Sequence, residues 1–353
     1  MYGPWVFDIE SRDLILGFSP QYVWTGELVG MPNTFTLGME WYQTEKNNIE
    51  NTLEATRKTL DFYFTNSTEF IEDWFLDLGY RRGRAEFDFA AFDDVGFNLD
   101  AFNISLTWRY AEGSKIFVGY DRSFRVGALD EYIVYPDFPS SPFVNPGLVP
   151  QITKTWQAGI EHQFCEQLTG SLTVFHVTTD NEIFYDPADG SFSSFFPGAN
   201  RNYDETKRVS IVAEADYQLT EDLSLFLNYT WVDARFGEDD TTDYDGNRVP
   251  MVPQHAINAG SEWEFIDGFT WNLTAHWVDN QYTISDWTNS MDELSSFLVV
   301  DTRLTYEWEW LTLYAGINNL LDEEYSEFAT YGVNLYPSPE RNFFTGVTVT
   351  FDF

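Results

Sequence analysis

The stretch FNISLTWRYAEGSKIFVGYDRSFR, residues 102–125, decides the class of fold. Phe102, Ile104, Leu106, Trp108 and Tyr110 alternate strictly with Asn103, Ser105, Thr107 and Arg109. Successive side chains of extended backbone point to opposite faces, so this pattern is a β-strand with one apolar face. AEGS at 111–114 supplies a tight turn, and a second strand follows. The alternation returns in RVSIVAEADY (208–217), DLSLFLNYTW (222–231), FTWNLTAHW (269–277) and LVVDTRLTYEW (298–308).

Extended along the chain, this pattern predicts about 15 strands, at 12–26, 33–45, 57–67, 71–91, 98–110, 114–125, 153–165, 169–186, 206–218, 222–234, 255–266, 268–281, 297–307, 310–319 and 342–353. Short connections (STEF after 66, AEGS, CEQL at 165–168, LTED at 219–222, IDG at 266–268, EWEW at 307–310) alternate with long ones at 126–152, 187–205, 235–254, 282–296 and 320–341. An up-and-down meander with every second loop long is the pattern of bacterial outer-membrane barrels, with tight periplasmic turns and long external loops. Aromatics close the apolar faces in Trp108/Tyr110, Tyr229/Trp231 and Trp271/Trp277, where such barrels carry girdles. A soluble propeller would show a repeated motif every 40 to 50 residues, and none is found. The expected fold is therefore all-β, a transmembrane antiparallel up-and-down β-barrel.

Composition narrows the partners. The 353 residues hold 57 acidic and 19 basic side chains, a net charge of −38, which excludes nucleic acid. Aromatics at 18 % exclude a disordered acidic chain. Cys165 is alone, which rules out an intramolecular disulfide. No apolar run reaches the length of a transmembrane helix, and MYGPWVFDIESRD lacks the regions of a secretory signal.

Five segments then resemble, in order and spacing, the TonB-dependent outer-membrane receptors: YDRSFRVGALDEY (120–132), NPGLVPQITKTWQAGIEHQF (145–164), GNRVPMVPQHAINAG (246–260), GINNLLDEEY (316–325) and RNFFTGVTVTFDF (341–353). The resemblance spans 1–353 as a barrel domain and implies the last 15 or so of about 22 strands. The implied plug, TonB-contacting segment, signal peptide and first strands are not in this sequence, so it is expected to be incomplete at its N-terminus. An odd strand count points the same way, because closed bacterial barrels have even numbers.

The resemblance implies energised uptake of a scarce nutrient, foremost a ferric siderophore or similar chelate, with haem, vitamin B12 or an oligosaccharide as further classes. A passive 16-stranded porin and a barrel-type outer-membrane enzyme are the alternatives. Implied partners are outer-membrane lipid and lipopolysaccharide, the barrel-assembly machinery, the TonB complex through the plug segment and a small-molecule substrate. The protein is expected to be a monomer.

Candidate substrate contacts are the aromatics of the long loops: Tyr132, Tyr135, Phe138, Phe143, Tyr185, Phe195, Phe196, Tyr244, Trp287, Tyr331 and Tyr336. Phe353 is the implied assembly signal. Glu238, Asp239, Asp240, Asp243 and Asp245 crowd one loop and make a candidate Ca²⁺ site, though their spacing is not that of an EF-hand and a solvated acidic loop is the plainer reading. Arg122, Arg125 and Arg208 are expected to face the lumen and pair with carboxylates. His162, His176, His255 and His276 are dispersed, and no catalytic motif such as G-x-S-x-G or HExxH occurs. No enzyme activity and no cofactor are therefore expected.

Overall fold

The computed structural model describes residues 11–48, 53–89, 94–134, 143–145, 147–186, 198–238, 244–284, 286–330 and 334–351. Twenty strands are assigned among them: β1 (Ser11–Phe18), β2 (Gln21–Leu28), β3 (Met31–Asn48), β4 (Leu53–Ile71), β5 (Trp74–Phe89), β6 (Val95–Ala111), β7 (Ser114–Arg125), β8 (Ile133–Val134), β9 (Phe143–Val144), β10 (Gln151–Cys165), β11 (Leu168–Asp186), β12 (Ala199–Thr220), β13 (Leu223–Phe236), β14 (His255–Ile266), β15 (Phe269–Val278), β16 (Phe297–Trp308), β17 (Leu311–Asn318), β18 (Ser326–Thr330), β19 (Asn334–Pro337) and β20 (Asn342–Val349). One 16-stranded sheet runs β1-β3-β4-β5-β6-β7-β10-β11-β12-β13-β14-β15-β16-β17-β20, with β2 also on β3. Every pairing resolved in it is antiparallel, as in Tyr63↔Arg81 and Leu304↔Ala315. β8–β9 and β18–β19 are separate hairpins within two long connections.

The expected strand 12–26 is two collinear strands. β1 and β2 pair successive stretches of β3, from Ser11↔Asn48 to Leu28↔Met31. The break falls at Pro20, which has no N–H to give, although its carbonyl still accepts from Met39 N at 3.1 Å. The turn expected at STEF lies farther on, at Glu72–Asp73, because β4 continues to Ile71. β12 starts seven residues before its expected start at 206. Its first half, ANRNYDETKR, has no apolar alternation to reveal it.

The chain groups into two compact units, one built from residues 1–107, 119–156 and 178–206, the other from 108–118, 157–177 and 207–353. In the first unit, β5 shows what governs the faces. Leu76, Leu78 and Tyr80 share a face that is apolar, while Asp77, Gly79 and Arg81 occupy the other. Four residues later the roles exchange. Arg82, Arg84, Glu86 and Asp88 take the first face and are exposed, while Ala85, Phe87 and Phe89 are buried on the second. A strand leaving lipid for water inverts its pattern in this way, because apolar side chains must turn from the lipid toward protein.

On the inner face of this unit Arg81 bridges Asp61 and Glu40. Its buried core is Ala55, Ala85, Phe87, Phe89, Leu129, Tyr132, Leu148 and Ile183. In the second unit the large apolar side chains Leu227, Trp263, Trp271, Leu304, Leu313 and Val347 are exposed. That arrangement suits a sheet whose solvent is lipid. Among the described residues seven connections are two-residue turns (29–30, 72–73, 112–113, 166–167, 221–222, 267–268, 309–310). Gly316 on β17 marks a close approach: a Cβ there would stand 2.6 Å from Thr302 O and against the Phe344 ring.

Candidate functional site

The long connections lie opposite these turns. In the first unit, the segment after β7 folds back as a 3-10 turn, Leu129–Tyr132. Arg125 grips Glu131 through two nitrogens at 2.7 and 2.8 Å. Glu131 also accepts from Ala128 N at 2.7 Å, and Arg57 Nη1 donates to Gly127 O at 3.1 Å. Asn200 Nδ2 donates to Glu131 O, and Asn145 N to Tyr132 O. Burial opposes ionisation of Glu131, but the Arg125 and Ala128 bonds prevail and hold its carboxyl below the usual range.

Tyr132 is 0 % exposed, with its ring centroid 4.9 Å from Phe87 and 5.4 Å from Phe89. Its hydroxyl has no hydrogen-bond partner among the described residues. Burial, reinforced by the Glu131 charge, pushes its ionisation up to about 12.

In the second unit three connections form one hydrogen-bonded layer. Asn289 makes a reciprocal pair with Arg248, accepting from its N at 2.6 Å and donating to its O at 3.0 Å. Asn247 Nδ2 donates to Trp287 O, and Met251 N to Tyr282 O. Gln281 Nε2 and Ile284 N then reach Glu327 O and Ala329 O on β18. The buried Asp286 carboxylate accepts from Ser290 N and Met291 N, both at 2.9 Å, and so shapes the turn that carries Trp287. Trp287, 4 % exposed, packs on Phe236 at 5.4 Å and Tyr244 at 5.6 Å.

Of the expected substrate contacts, the structure therefore brings Tyr244 and Trp287 together. It places Tyr132 inside a protein core, where its ring meets Phe87 and Phe89. Tyr185 is exposed at the end of β11, beside Gly198. Tyr336 is exposed on β19 against Phe328. The backbone of Phe143 pairs with Val134. Tyr135, Phe138, Phe195, Phe196, Tyr331, Asp239, Asp240, Asp243 and Phe353 lie outside the described residues. Glu238 and Asp245 are described, and no metal-holding group of three or more His, Cys, Asp or Glu occurs among the described residues.

Arg125 serves the loop through Glu131. Arg122 corrects its expected lumenal placement: it donates to Asp100 O, beside the Arg82–Asp100 ion pair. His162 Nδ1 lies 3.0 and 3.1 Å from the Tyr110 and Ser114 hydroxyls, a structural clip. Sequence reasoning missed Glu131, which meets Arg125 only through the turn between them, and Asp286 and Asn289, which bond mainly to backbone groups. Only Asn289 offered a local signal, as a residue type that tolerates its positive φ of 53°.

The five long connections (126–150, 187–198, 237–254, 279–296, 319–341) carry 18 acidic and two basic side chains, a net charge of −16. Such a surface attracts cations and repels multivalent anions.

The family model "TonB dependent receptor-like, beta-barrel" matches residues 5–320. The chain belongs to the TonB-dependent receptors. This family places the barrel in the outer membrane of Gram-negative bacteria, and its members are transport receptors. Among similar proteins, the metal-pseudopaline receptor CntO of Pseudomonas aeruginosa is 26 % identical over 206 residues, 57 % of this chain and 28 % of its own. The probable TonB-dependent siderophore receptor PiuA of Acinetobacter baumannii is 22 % identical over 293 residues, 77 % of this chain and 38 % of its own. The solved ferric-catecholate import receptor Fiu of E. coli, in its closed form, superposes with a TM-score of 0.77 at 16 % identity, covering 97 % of this chain and 55 % of that one. This receptor chain thus spans about a third of the length of these curated relatives and about half that of the solved structure.

Proposed function

We propose that this barrel is the outer-membrane part of an uptake receptor for a metal chelate, foremost a siderophore-type ferric complex, energised through the TonB complex. The observation that carries the reading is the contrast between the two ends of the strands. Among the described residues seven connections are two-residue turns, whereas at the opposite ends the connections after β7, β13, β15 and β17 are long and, where described, carry their own aromatic packing and hydrogen bonds. Membership of the receptor family weighs against a passive porin. The names of the two curated relatives, a metal-pseudopaline receptor and a probable siderophore receptor, support a chelate as cargo.

The net charge of −16 on the long connections favours a chelate of neutral or positive charge over a multiply anionic one. Its work on this reading is binding and passage, without catalysis. Deletion of the gene should abolish growth on one class of ferric chelate under iron limitation, and restoring it should rescue growth only while the inner-membrane energising complex is intact. Uptake that persists without that complex would sink the reading and favour a passive porin.

A further inference from the structure

The second unit carries an uncompensated cation on its inner face. Leu304, Leu313 and Val347 form the exposed apolar side of β16, β17 and β20, so Arg303, Tyr314 and Phe344, one or three positions away, take the opposite side. Cross-strand register sets Glu262, Asn272, Arg303, Gly316 and Phe344 in one row over five adjacent strands. Arg303 stands midway along β16 and is exposed. Its guanidinium carbon lies 4.4 Å from the centre of the Tyr314 ring, and no carboxylate pairs with it among the described residues. The Tyr314 ring rests against Gly346, where a Cβ would collide with it, and Phe344 lies beside it at 6.2 Å, tilted by 53°. A guanidinium stacked on a ring keeps its in-plane N–H groups for a planar anion. An ionisable side chain inside a membrane-spanning structure is ordinarily paired, or else serves a ligand.

The acids around Arg303 are bonded elsewhere. Glu262 accepts from Asn272 Nδ2 at 2.8 Å, Asp301 from Asn319 N at 2.8 Å and Glu264 from Gly268 N at 3.0 Å. Glu307, also on this side of β16, is exposed near the strand end. One cation against four acids leaves the wall net negative, and such a wall repels a free anion. An anionic group therefore gains Arg303 only if its carrier also brings a cation for the acids. Glu262 is the acid that shares the row of Arg303, two strands away. It is exposed, and its partner is a neutral amide, which leaves its charge in place. Two strand spacings set the two charges about 10 Å apart. That exceeds an α-amino acid and matches about three residues of extended peptide.

We propose that this row binds a zwitterionic aminocarboxylate of that span, such as a short peptide, with its carboxylate on Arg303, its ammonium on Glu262 and an apolar group beside the carboxylate on Phe344. Tyr314 holds the guanidinium in place, and Asn272 holds the Glu262 carboxylate. A ligand of this kind is neutral overall, in keeping with the acidic long connections. The site rests on the uptake reading only for the passage of cargo along this wall. Its test reads binding alone, so either can fail while the other stands.

The test uses the full-length receptor in mild detergent and three probes ending in 4-fluorophenylalanine, followed by fluorine NMR: Gly-Gly-fluoroPhe, its N-acetyl form, which is an anion, and its C-terminal amide, which is a cation. The zwitterion should bind at least tenfold more tightly than either blocked form. Arg303→Gln should lower the zwitterion to the level of the amide, and Glu262→Gln should lower it to the level of the acetyl form. Lys115→Gln, which removes a cation paired with Glu161, should change nothing. A blocked form that binds the wild type as tightly as the zwitterion, an absence of binding to the wild type, or unchanged affinity in Arg303→Gln would each overturn the proposal. The comparison of the three probes on the wild type needs no variant, so it decides the matter even where a variant fails to fold.

Discussion

Removing one oxygen from the buried core of the first unit should tighten it. Tyr132 is wholly enclosed by Phe87, Phe89 and the Gly127 backbone, yet its hydroxyl has no partner among the described residues. A buried polar group left unpaired costs about 1–3 kcal/mol. Tyr132→Phe keeps the ring contacts and deletes that cost. The docked segment should then open roughly 5- to 150-fold less often, at about 1.4 kcal/mol per factor of ten.

Tyr132→Ala instead leaves a cavity between two phenyl rings. The expected loss is about 3–5 kcal/mol, limited by the docking free energy of the segment itself. Hydrogen exchange reads both variants locally. Ala128 N, bonded to Glu131, and Asn145 N, bonded to Tyr132 O, are exposed only when the segment lifts. Slower exchange at both amides in Tyr132→Phe and faster exchange in Tyr132→Ala are expected, with amides of β14 and β15 unaffected. Faster exchange in Tyr132→Phe would refute the reasoning, since the hydroxyl would then have a partner worth more than its desolvation.

The same segment responds to pH in two directions. Tyr132 ionises near 12 when docked against an ordinary 10, so its contribution is complete below about pH 10 and is lost as pH rises toward 12, visible as tyrosinate absorbance appearing late. Glu131 is held below its ordinary 4.5, so its contribution is present above that value and lost as pH falls beneath it, measured by exchange at Ala128 N. Asn289→Ala removes both bonds to Arg248 and should loosen the layer by about 1–3 kcal/mol. Faster proteolysis in 237–254 would show this, and Asn289→Gly, which keeps the positive φ, should do the same if the bonds rather than the backbone matter. Gly316→Val drives a side chain into Thr302 O and should sharply reduce the heat-resistant folded band on electrophoresis. A normal band would mean that β16 and β17 can part to admit it.

The main strands were legible because lipid on one face imposes strict alternation, and residues such as Ile104, Leu225 and Leu304 show it without competition. The break at Pro20 was visible as a residue but not as a division, because both halves keep one partner. GRAEFDF on β5 reads as a strand in any case. Its reversal of faces could not be read locally, because it depends on where the lipid ends. The loop layers were the least legible part. Asp286 bonds backbone amides, and Arg125 finds Glu131 through a turn whose docking depends on Phe87 and Phe89, some 40 residues earlier. Aromatic content alone nominated Tyr132 and Tyr244 equally, although one lies in a core and the other is half-buried against Trp287.

The reciprocal pair between Asn289 and Arg248, with the links onward to β18, bears on how such a surface changes over generations. Each bond ends on a backbone atom, so the identity of most neighbouring side chains is free, but the path of each loop is not. Point substitutions can alter what the surface recognises one residue at a time. Insertions and deletions in any of the three loops must be matched in the other two, so variation in length should be inherited as a block and variation in sequence should not.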